Sequence, residues 1–212
     1  MFGSRLEQAR ELERLLRTDG VLRGLVGPRE ADRMWDRHVL NCAAAAPAFP
    51  EAALVVDVGS GAGLPGLVLA IARPDLRLVL LEPLLRRTTF LTEAVERLGL
   101  ANVEVRRGRA EEMRGVLVAD VVTARAVAPL DRLANWCLPL LRPGGALLAM
   151  KGERAEQELA EAVTTLRRLG AVHWEVIELG GDLVQPLVRL VSVRTGRGPA
   201  GGDRRPRRDR RA

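Results

Sequence analysis

Three glycines and a glutamate are the residues whose types and spacing most strongly suggest chemistry in this sequence. An apolar run over 54–58 leads into Gly59, Gly61 and Gly63. Because glycine has no Cβ, the backbone of such a turn can approach a ligand at the start of the next helix. Glu82 ends the following apolar run, where a carboxylate can accept hydrogen bonds from both hydroxyls of a ribose. This pattern predicts a site for a nucleoside cofactor, and a purely structural turn is the alternative.

The glycine spacing distinguishes between nucleoside cofactors. Enzymes that bind dinucleotides place a pyrophosphate on a helix N-terminus and usually have the spacing G-x-G-x-x-G. This chain reads G-x-G-x-G, which is typical of methyltransferases, and Asp57 precedes the turn. S-adenosylmethionine carries a sulfonium cation and no phosphate, so an acidic residue near its amino group is tolerated where a pyrophosphate would be repelled. We therefore expect S-adenosylmethionine as the cofactor.

Two later apolar runs also end in residues that suit a cofactor pocket. Ala110 and Glu111 follow the third run, where they can reach the edge of an adenine. A helix cap or a solvated charge is the alternative for this pair. Arg125 follows the fourth run, where it can pair with the methionine carboxylate or with an RNA phosphate. A structural ion pair is the alternative for Arg125.

Four basic side chains are candidates for contact with a substrate. Lys151 is the only lysine of the chain and follows the fifth apolar run, where it suits a phosphate or a base. Arg86 and Arg87 open the helix after Glu82 and suit phosphates. His38 lies in an N-terminal helical stretch. The alternatives are a surface lysine, a solvated helical face and a histidine satisfied within its helix.

The order of apolar runs and helical stretches predicts an α/β fold in which these residues share one edge of a parallel sheet. The expected strands are 54–58, 77–81, 103–106, 120–123 and 146–150. The expected helices are about 64–72, 85–98, 130–141 and 153–169. Two N-terminal helices precede them: the first ends near Arg17, and the second covers about 29–46. Two final runs, 172–179 and 187–193, predict a terminal antiparallel hairpin. The predicted architecture is a Rossmann-like, seven-stranded, mostly parallel sheet.

Length and composition indicate the domain organisation and the cellular location of the protein. We expect a single domain over 1–193, with a helical extension over 1–50 and a Rossmann-like core over 51–193. The sequence has no apolar run of the roughly 20 residues that cross a bilayer and no secretory signal, which predicts a cytoplasmic protein. Cys42 and Cys137 lack metal-ligand spacing, so we expect two buried thiols and no metal site. We expect a monomer.

The positive charge of the chain is concentrated at its C-terminal end. The formal net charge is +6, and residues 194–212 contain eight arginines and two aspartates, so the rest of the chain sums to zero. This segment has no large apolar residue, which predicts a disordered tail. Arginine clusters bind polyphosphate backbones without sequence preference, so the tail suits an RNA or DNA partner. A solubilising tail without a defined partner is the alternative.

Six stretches of the chain together resemble the bacterial RsmG (GidB) methyltransferases. They are residues 37–40, 57–66, 86–91, 109–112, 124–126 and 148–152. The extension Gly63-Leu64-Pro65-Gly66 and the Ala124-Arg125-Ala126 and Lys151-Gly152 strand ends are more specific than the glycine turn. Where the family commonly has an aspartate after the helical stretch 37–40, this chain has Asn41.

The resemblance implies a class I methyltransferase that modifies N7 of a guanine in 16S ribosomal RNA, with the RNA or the small ribosomal subunit as partner. It further implies that Gly59, Leu64, Ala110, Glu111 and Arg125 contact S-adenosylmethionine. Because N7 carries an in-plane lone pair, alignment of the reactants suffices and no catalytic base is expected.

Three other functions compete with this interpretation. They are a methyltransferase of another RNA site or of a small molecule, a nicotinamide-dependent reductase, and a non-catalytic RNA-binding factor.

Overall fold

A seven-stranded sheet organises the core of the computed structural model, which describes residues 1–196 apart from the side chain of Asp182. Its strands are β1 (Leu54–Val58), β2 (Arg77–Glu82), β3 (Val103–Arg107), β4 (Ala119–Arg125), β5 (Leu141–Lys151), β6 (Ala171–Leu179) and β7 (Val188–Thr195). The spatial order is β3-β2-β1-β4-β5-β7-β6. Six strands run parallel and β7 runs antiparallel to both of its neighbours. The predicted fold class and terminal hairpin are therefore confirmed.

Strand β1 lies at the point where the strand order reverses. It pairs with β2 on one side and with β4 on the other, so that Asp57 lies between Leu80 and Thr123. Val55 and Val56 are both fully buried although they point to opposite faces, because helices cover both faces of the sheet. In such sheets ligands bind beyond the carboxyl ends of the strands at the reversal. This geometry places the candidate site at the ends of β1 and β4.

The helices form two layers around the sheet. They are α1 (Leu6–Leu15), α2 (Pro28–Ala31), α3 (Leu40–Ala44), α4 (Gly66–Ala72), α5 (Leu85–Leu98), α6 (Leu130–Cys137) and α7 (Ala155–Arg168). One buried cluster joins α1, α3, α4 and α5 to the sheet, and a second cluster joins α6 and α7 to the opposite face. Within residues 1–196, no helix has the length and apolar character that crossing a membrane requires.

The prediction of one continuous helix over 29–46 is wrong. The chain forms α2, breaks at Arg33, forms a π-helical turn over Met34–Val39 and continues into α3. Met34 and Val39 are both buried, at 1% and 0% exposure. Residues five positions apart share a face in a π turn but diverge in an α-helix. The wider turn therefore lets both side chains enter the core.

Other boundaries also differ from the sequence-based expectations, and β5 begins at Leu141 rather than at 146. Helix α6 ends at Cys137, and a 3₁₀ turn over Leu138–Leu140 leads directly into β5. Pro139 has no N–H to continue the helical hydrogen bonds. At the other end of the sheet, β7 runs to Thr195, so Arg194 belongs to a strand rather than to the predicted tail. The remainder of that tail, 197–212, lies outside the described residues.

Candidate active site

The glycine turn after β1 has the backbone that its sequence predicts. Gly59, Gly61 and Gly63 have φ values of 72°, 58° and 92°, in the region that favours glycine. The Gly59 N–H donates to the carbonyl of Leu81 at 2.8 Å, which ties the turn to β2. A Cβ on Gly61 would meet only the carbonyl oxygen of Gly59, 3.7 Å away. The backbone of Gly61 is therefore open to close approach.

The carboxylate of Glu82 lies against this turn. Its Oε2 accepts a hydrogen bond from the Gly61 N–H at 3.0 Å, and its Oε1 accepts one from the Leu84 N–H at 3.1 Å. The side chain is only 1% exposed, and Arg87 Nη1 lies 3.6 Å from Oε2. Each oxygen keeps a second lone pair for a further donor. The turn and Glu82 thus fit an adenosyl group, whose ribose offers two hydroxyl donors.

Asp57 lies beneath the turn, at the junction with the next helix. Its Oδ2 accepts a hydrogen bond from the Gly66 N–H at 3.0 Å, at the start of α4. The side chain is fully buried, and burial raises the pKa of Asp57 to about 7. That this acid lies near the amino group of the cofactor stays a prediction. Asp57 fixes the junction between β1 and α4.

The raised pKa of Asp57 predicts that stability falls between about pH 4 and pH 7. In this window the unfolded chain, with a carboxyl pKa of 3.8, loses its proton before the folded chain does. Unfolding is therefore favoured as the pH rises, by on the order of 4 kcal/mol across the window. Asp57→Asn should remove this contribution. Urea unfolding of both proteins at each pH measures the difference, and parallel curves would contradict the assignment.

The residues predicted at the end of β3 lie at the same edge of the sheet. Ala110 begins a 3₁₀ turn and is buried, whereas Glu111 is exposed. The adjacent Arg109 N–H donates to Glu112 Oε2 at 2.9 Å, which caps the turn locally. Leu64 is half-buried after the glycine turn. Contact of Ala110, Glu111 and Leu64 with a cofactor stays a prediction.

Arg125, at the end of β4, binds the N-terminal extension. Its Nη1 donates to Cys42 Sγ at 3.1 Å, and its Nη2 hydrogen-bonds with His38 Nδ1. The other ring nitrogen of His38 lies 2.8 Å from Glu30 Oε2. Burial and the neighbouring guanidinium lower the pKa of His38, which favours a neutral ring that accepts from Arg125 and donates to Glu30. Contact of Arg125 or His38 with cofactor or substrate stays a prediction.

Arg125→Lys should destabilise the protein by about 2 kcal/mol. A lysine has no planar fork that can donate to Cys42 and His38 at once, and one partly buried acceptor is left without its partner. Urea unfolding at pH 7.5 measures the change. Arg106→Lys on β3, where the guanidinium pairs with the exposed Glu104, is the matched control. Equal midpoints for the two variants would contradict the role given to Arg125.

Lys151 is nearly buried, so the alternative of a surface lysine is wrong. Its side chain is 9% exposed, and Nζ donates to Glu158 Oε2 and to the carbonyl of Ala128, both at 2.7 Å. Glu158 Oε2 also accepts from the Leu130 N–H at 3.0 Å. These contacts fasten the loop after β4 to α7. Arg86 is exposed on α5, and contact of Lys151, Arg86 or Arg87 with a substrate stays a prediction.

A cleft of about 1180 Å³ opens beyond the ends of β4 and β5. Its basic lining residues are Arg37, Arg125, Lys151 and Arg189, and its acidic ones are Glu153, Glu158 and Glu178. The glycine turn does not line the cleft, but Val127 lies between the turn and the cleft. Val127 lines the cleft, and its Cγ2 is so close to Gly59 that a Cβ on that glycine would lie only 2.9 Å from it. The cleft therefore adjoins the turn.

Several residues of this cleft are not predicted by the sequence. No sequence pattern indicates that Glu158 and Arg189 line the cleft, because their positions depend on how α7 and β7 pack beside β5. For Val127, the sequence indicates only that it follows the Ala124-Arg125-Ala126 motif. Asn41 differs from the pattern of the family that the sequence resembles, and the sequence gives no other indication of its position.

This fold and this site define a Rossmann-like methyltransferase, with the glycine turn and Glu82 beside a cleft at the strand-order reversal. A solved structure of the same fold, a putative S-adenosyl-L-methionine-dependent methyltransferase from Methanococcus maripaludis, superposes with a TM-score of 0.62. It is 13% identical in sequence and covers 91% of this chain and 94% of its own.

The chain belongs to the GidB family, described as rRNA small subunit methyltransferase G, whose model matches residues 5–185. A ribosomal RNA small subunit methyltransferase G from Salinispora arenicola is 59% identical over 93% of this chain and 84% of its own length. The same enzyme from Streptomyces avermitilis is 56% identical over 95% of this chain and 85% of its own length. The resemblance seen in the sequence is confirmed.

Proposed function

We propose that this protein transfers a methyl group from S-adenosylmethionine to N7 of a guanine in 16S ribosomal RNA. The observation that carries the proposal is that Val127 connects the glycine turn to the cleft beyond β4 and β5. A cofactor on the turn and a base in the cleft would then be neighbours. Membership of the rRNA small subunit methyltransferase G family supports the choice of RNA.

The chain offers a binding group for each part of the cofactor. Gly59 and Gly61 would hold it by close backbone approach, and Glu82 would accept hydrogen bonds from its ribose. Ala110 and Glu111 would flank the adenine. When bound, S-adenosylmethionine supplies an electrophilic methyl group on a sulfonium.

The reaction at N7 asks the protein for orientation rather than for proton transfer. The N7 lone pair is free at neutral pH, so no side chain has to remove a proton first. What the protein contributes is alignment, which can supply several kcal/mol of barrier reduction. The loop 126–129 shapes the passage between turn and cleft, and Lys151 and Glu158 hold this loop through Ala128 and Leu130. Arg37, which is exposed, and Arg189 at the rim suit RNA phosphates.

The RNA partner supports a cytoplasmic location, where small ribosomal subunits are assembled. That the protein acts as a monomer and needs no metal stays a prediction.

The arginines of the C-terminal segment should contribute to RNA affinity. Removing residues 197–212 deletes seven arginines and two aspartates. If these arginines release counterions from RNA, the slope of log K against log salt becomes shallower by several units, at about 0.7 per phosphate contact on a single strand. Filter binding between 50 and 200 mM salt measures the slope. An unchanged slope favours a solubilising segment.

The direct test is methylation of ribosomal RNA from a strain that lacks this gene. We expect radioactive methyl from S-adenosylmethionine to enter 16S RNA and to map to one guanine that becomes sensitive to cleavage at 7-methylguanine. Naked RNA and intact small subunits serve as parallel substrates. A methyl group on a transfer RNA, or on another base, contradicts the proposal.

A further inference from the structure

One residue that lines the cleft has a buried side-chain oxygen without a hydrogen-bond partner among the described residues. Among the described residues, only two buried side-chain atoms lack a hydrogen bond, Asn41 Oδ1 and Asp57 Oδ1. Asp57 lies beneath the glycine turn, whereas Asn41 lines the cleft. Leaving a buried acceptor unpaired costs roughly 1–3 kcal/mol, so such atoms in a binding cleft point to a ligand donor.

The position of Asn41 is fixed by its neighbours. It lies in α3 directly before Cys42, whose thiol accepts the hydrogen bond from Arg125 at the end of β4. The next residue along β4 is Ala126, which begins the loop that reaches Gly59 through Val127. Asn41 therefore lies on the side of the cleft that adjoins the cofactor turn.

The other polar groups of the cleft cannot take the same role. Arg37, Arg125 and Arg189 are donors only. The carboxylates of Glu153, Glu158 and Glu178 are acceptors only. Among the residues that line the cleft, Asn41 is thus the side chain that combines a donor with an acceptor, and this acceptor has no partner among the described residues.

We propose that Asn41 recognises the target guanine by its Watson–Crick edge. The amide nitrogen donates to O6, and Oδ1 accepts from N1–H, which is a complementary pair of hydrogen bonds. Binding at this edge leaves N7, on the opposite edge, free to react. The inference rests on the proposed function and adds the residue that selects guanine.

The test compares bases that keep N7 but change the Watson–Crick edge. Ligated 16S RNA carries guanine, inosine or 2,6-diaminopurine at the target position. 2,6-Diaminopurine presents a donor in place of O6 and an acceptor in place of N1–H, so both contacts with Asn41 are mismatched. We expect wild-type kcat/KM to be about 100-fold lower for it than for guanine. Inosine lacks only the 2-amino group and should react within about threefold of guanine.

Asn41→Ala should reduce this discrimination to less than about fivefold. The value of kcat/KM should fall for guanine and stay unchanged for 2,6-diaminopurine, because only guanine forms hydrogen bonds with the Asn41 amide. Asn135→Ala on α6, whose amide donates to the Asp131 carbonyl away from the cleft, is the matched control. Equal losses on both bases, or no loss, would overturn the assignment.

Asn41→Asp provides a second arm that does not depend on the alanine variant folding. A carboxylate accepts from both N1–H and the 2-amino group, so this variant should favour guanine over inosine about tenfold, where the wild type does not. An unchanged ratio overturns the proposal. If the wild type does not methylate guanine, the proposed function itself fails; if it does and the ratios stay constant, only the role of Asn41 fails.

Discussion

Glu82→Gln is expected to weaken the binding of S-adenosylmethionine by about 100-fold. The carboxylate accepts hydrogen bonds from Gly61 and Leu84 with one oxygen each, and each oxygen keeps a second lone pair. An amide has only one accepting oxygen, so a ribose hydroxyl or a backbone N–H loses its acceptor. Hydrogen bonds to a charged group contribute roughly 1.5–3 kcal/mol, which corresponds to the expected loss.

Isothermal titration calorimetry with S-adenosylmethionine and S-adenosylhomocysteine measures this effect. Glu104→Gln, at an exposed position of the neighbouring strand β3, is the matched control and should bind as the wild type does. Both ligands should be affected equally, since they share the ribose. Wild-type affinity in Glu82→Gln would show that the glycine turn is not the cofactor site, and the proposed function would lose its basis.

The turn and Glu82 could be predicted from the sequence because their geometry is local. Gly59, Gly61 and Gly63 follow an apolar strand directly, and their lack of Cβ atoms determines what the backbone can do. Glu82 is distant along the chain, but parallel strands end at one edge of the sheet, so the β-α-β order alone brings it to the turn. The same order predicted the strands and their terminal hairpin.

The side-chain contacts of Arg125 and Lys151 could not be predicted in this way. Both were correctly expected at strand ends, but their partners depend on packing between elements. Arg125 contacts His38 because the N-terminal extension covers the end of β4, and the π turn in that extension sets the position of His38. No periodicity in the sequence specifies such a turn. Asn41 enters the cleft for the same reason.

Lys151→Met is expected to lower both the stability and the kcat of the protein, because of the contacts that Lys151 makes in the folded chain. This change leaves Glu158 without its cation and the Ala128 carbonyl without its donor. Breaking a buried ion pair costs about 3–5 kcal/mol, and because Glu158 is 21% exposed we expect the lower end, about 3 kcal/mol. The loop 126–129 should then shift relative to the glycine turn. A misplacement of about 1 Å can reduce the rate 100-fold, so kcat should fall by about that factor while affinity for S-adenosylmethionine changes little.

Urea unfolding and single-turnover methylation of 16S RNA separate the two consequences for Lys151→Met. Arg154→Met removes an exposed positive charge three residues along the chain and should change neither the urea midpoint nor kcat.

Because Lys151 is the only lysine, amine acylation gives an independent measure of its burial. In the folded wild type, only the N-terminal amine should react quickly, and Lys151 should react once urea unfolds the chain. Rapid acylation of Lys151 in the folded protein, or a variant with full kcat, would mean that this side chain does not hold the loop against the active site.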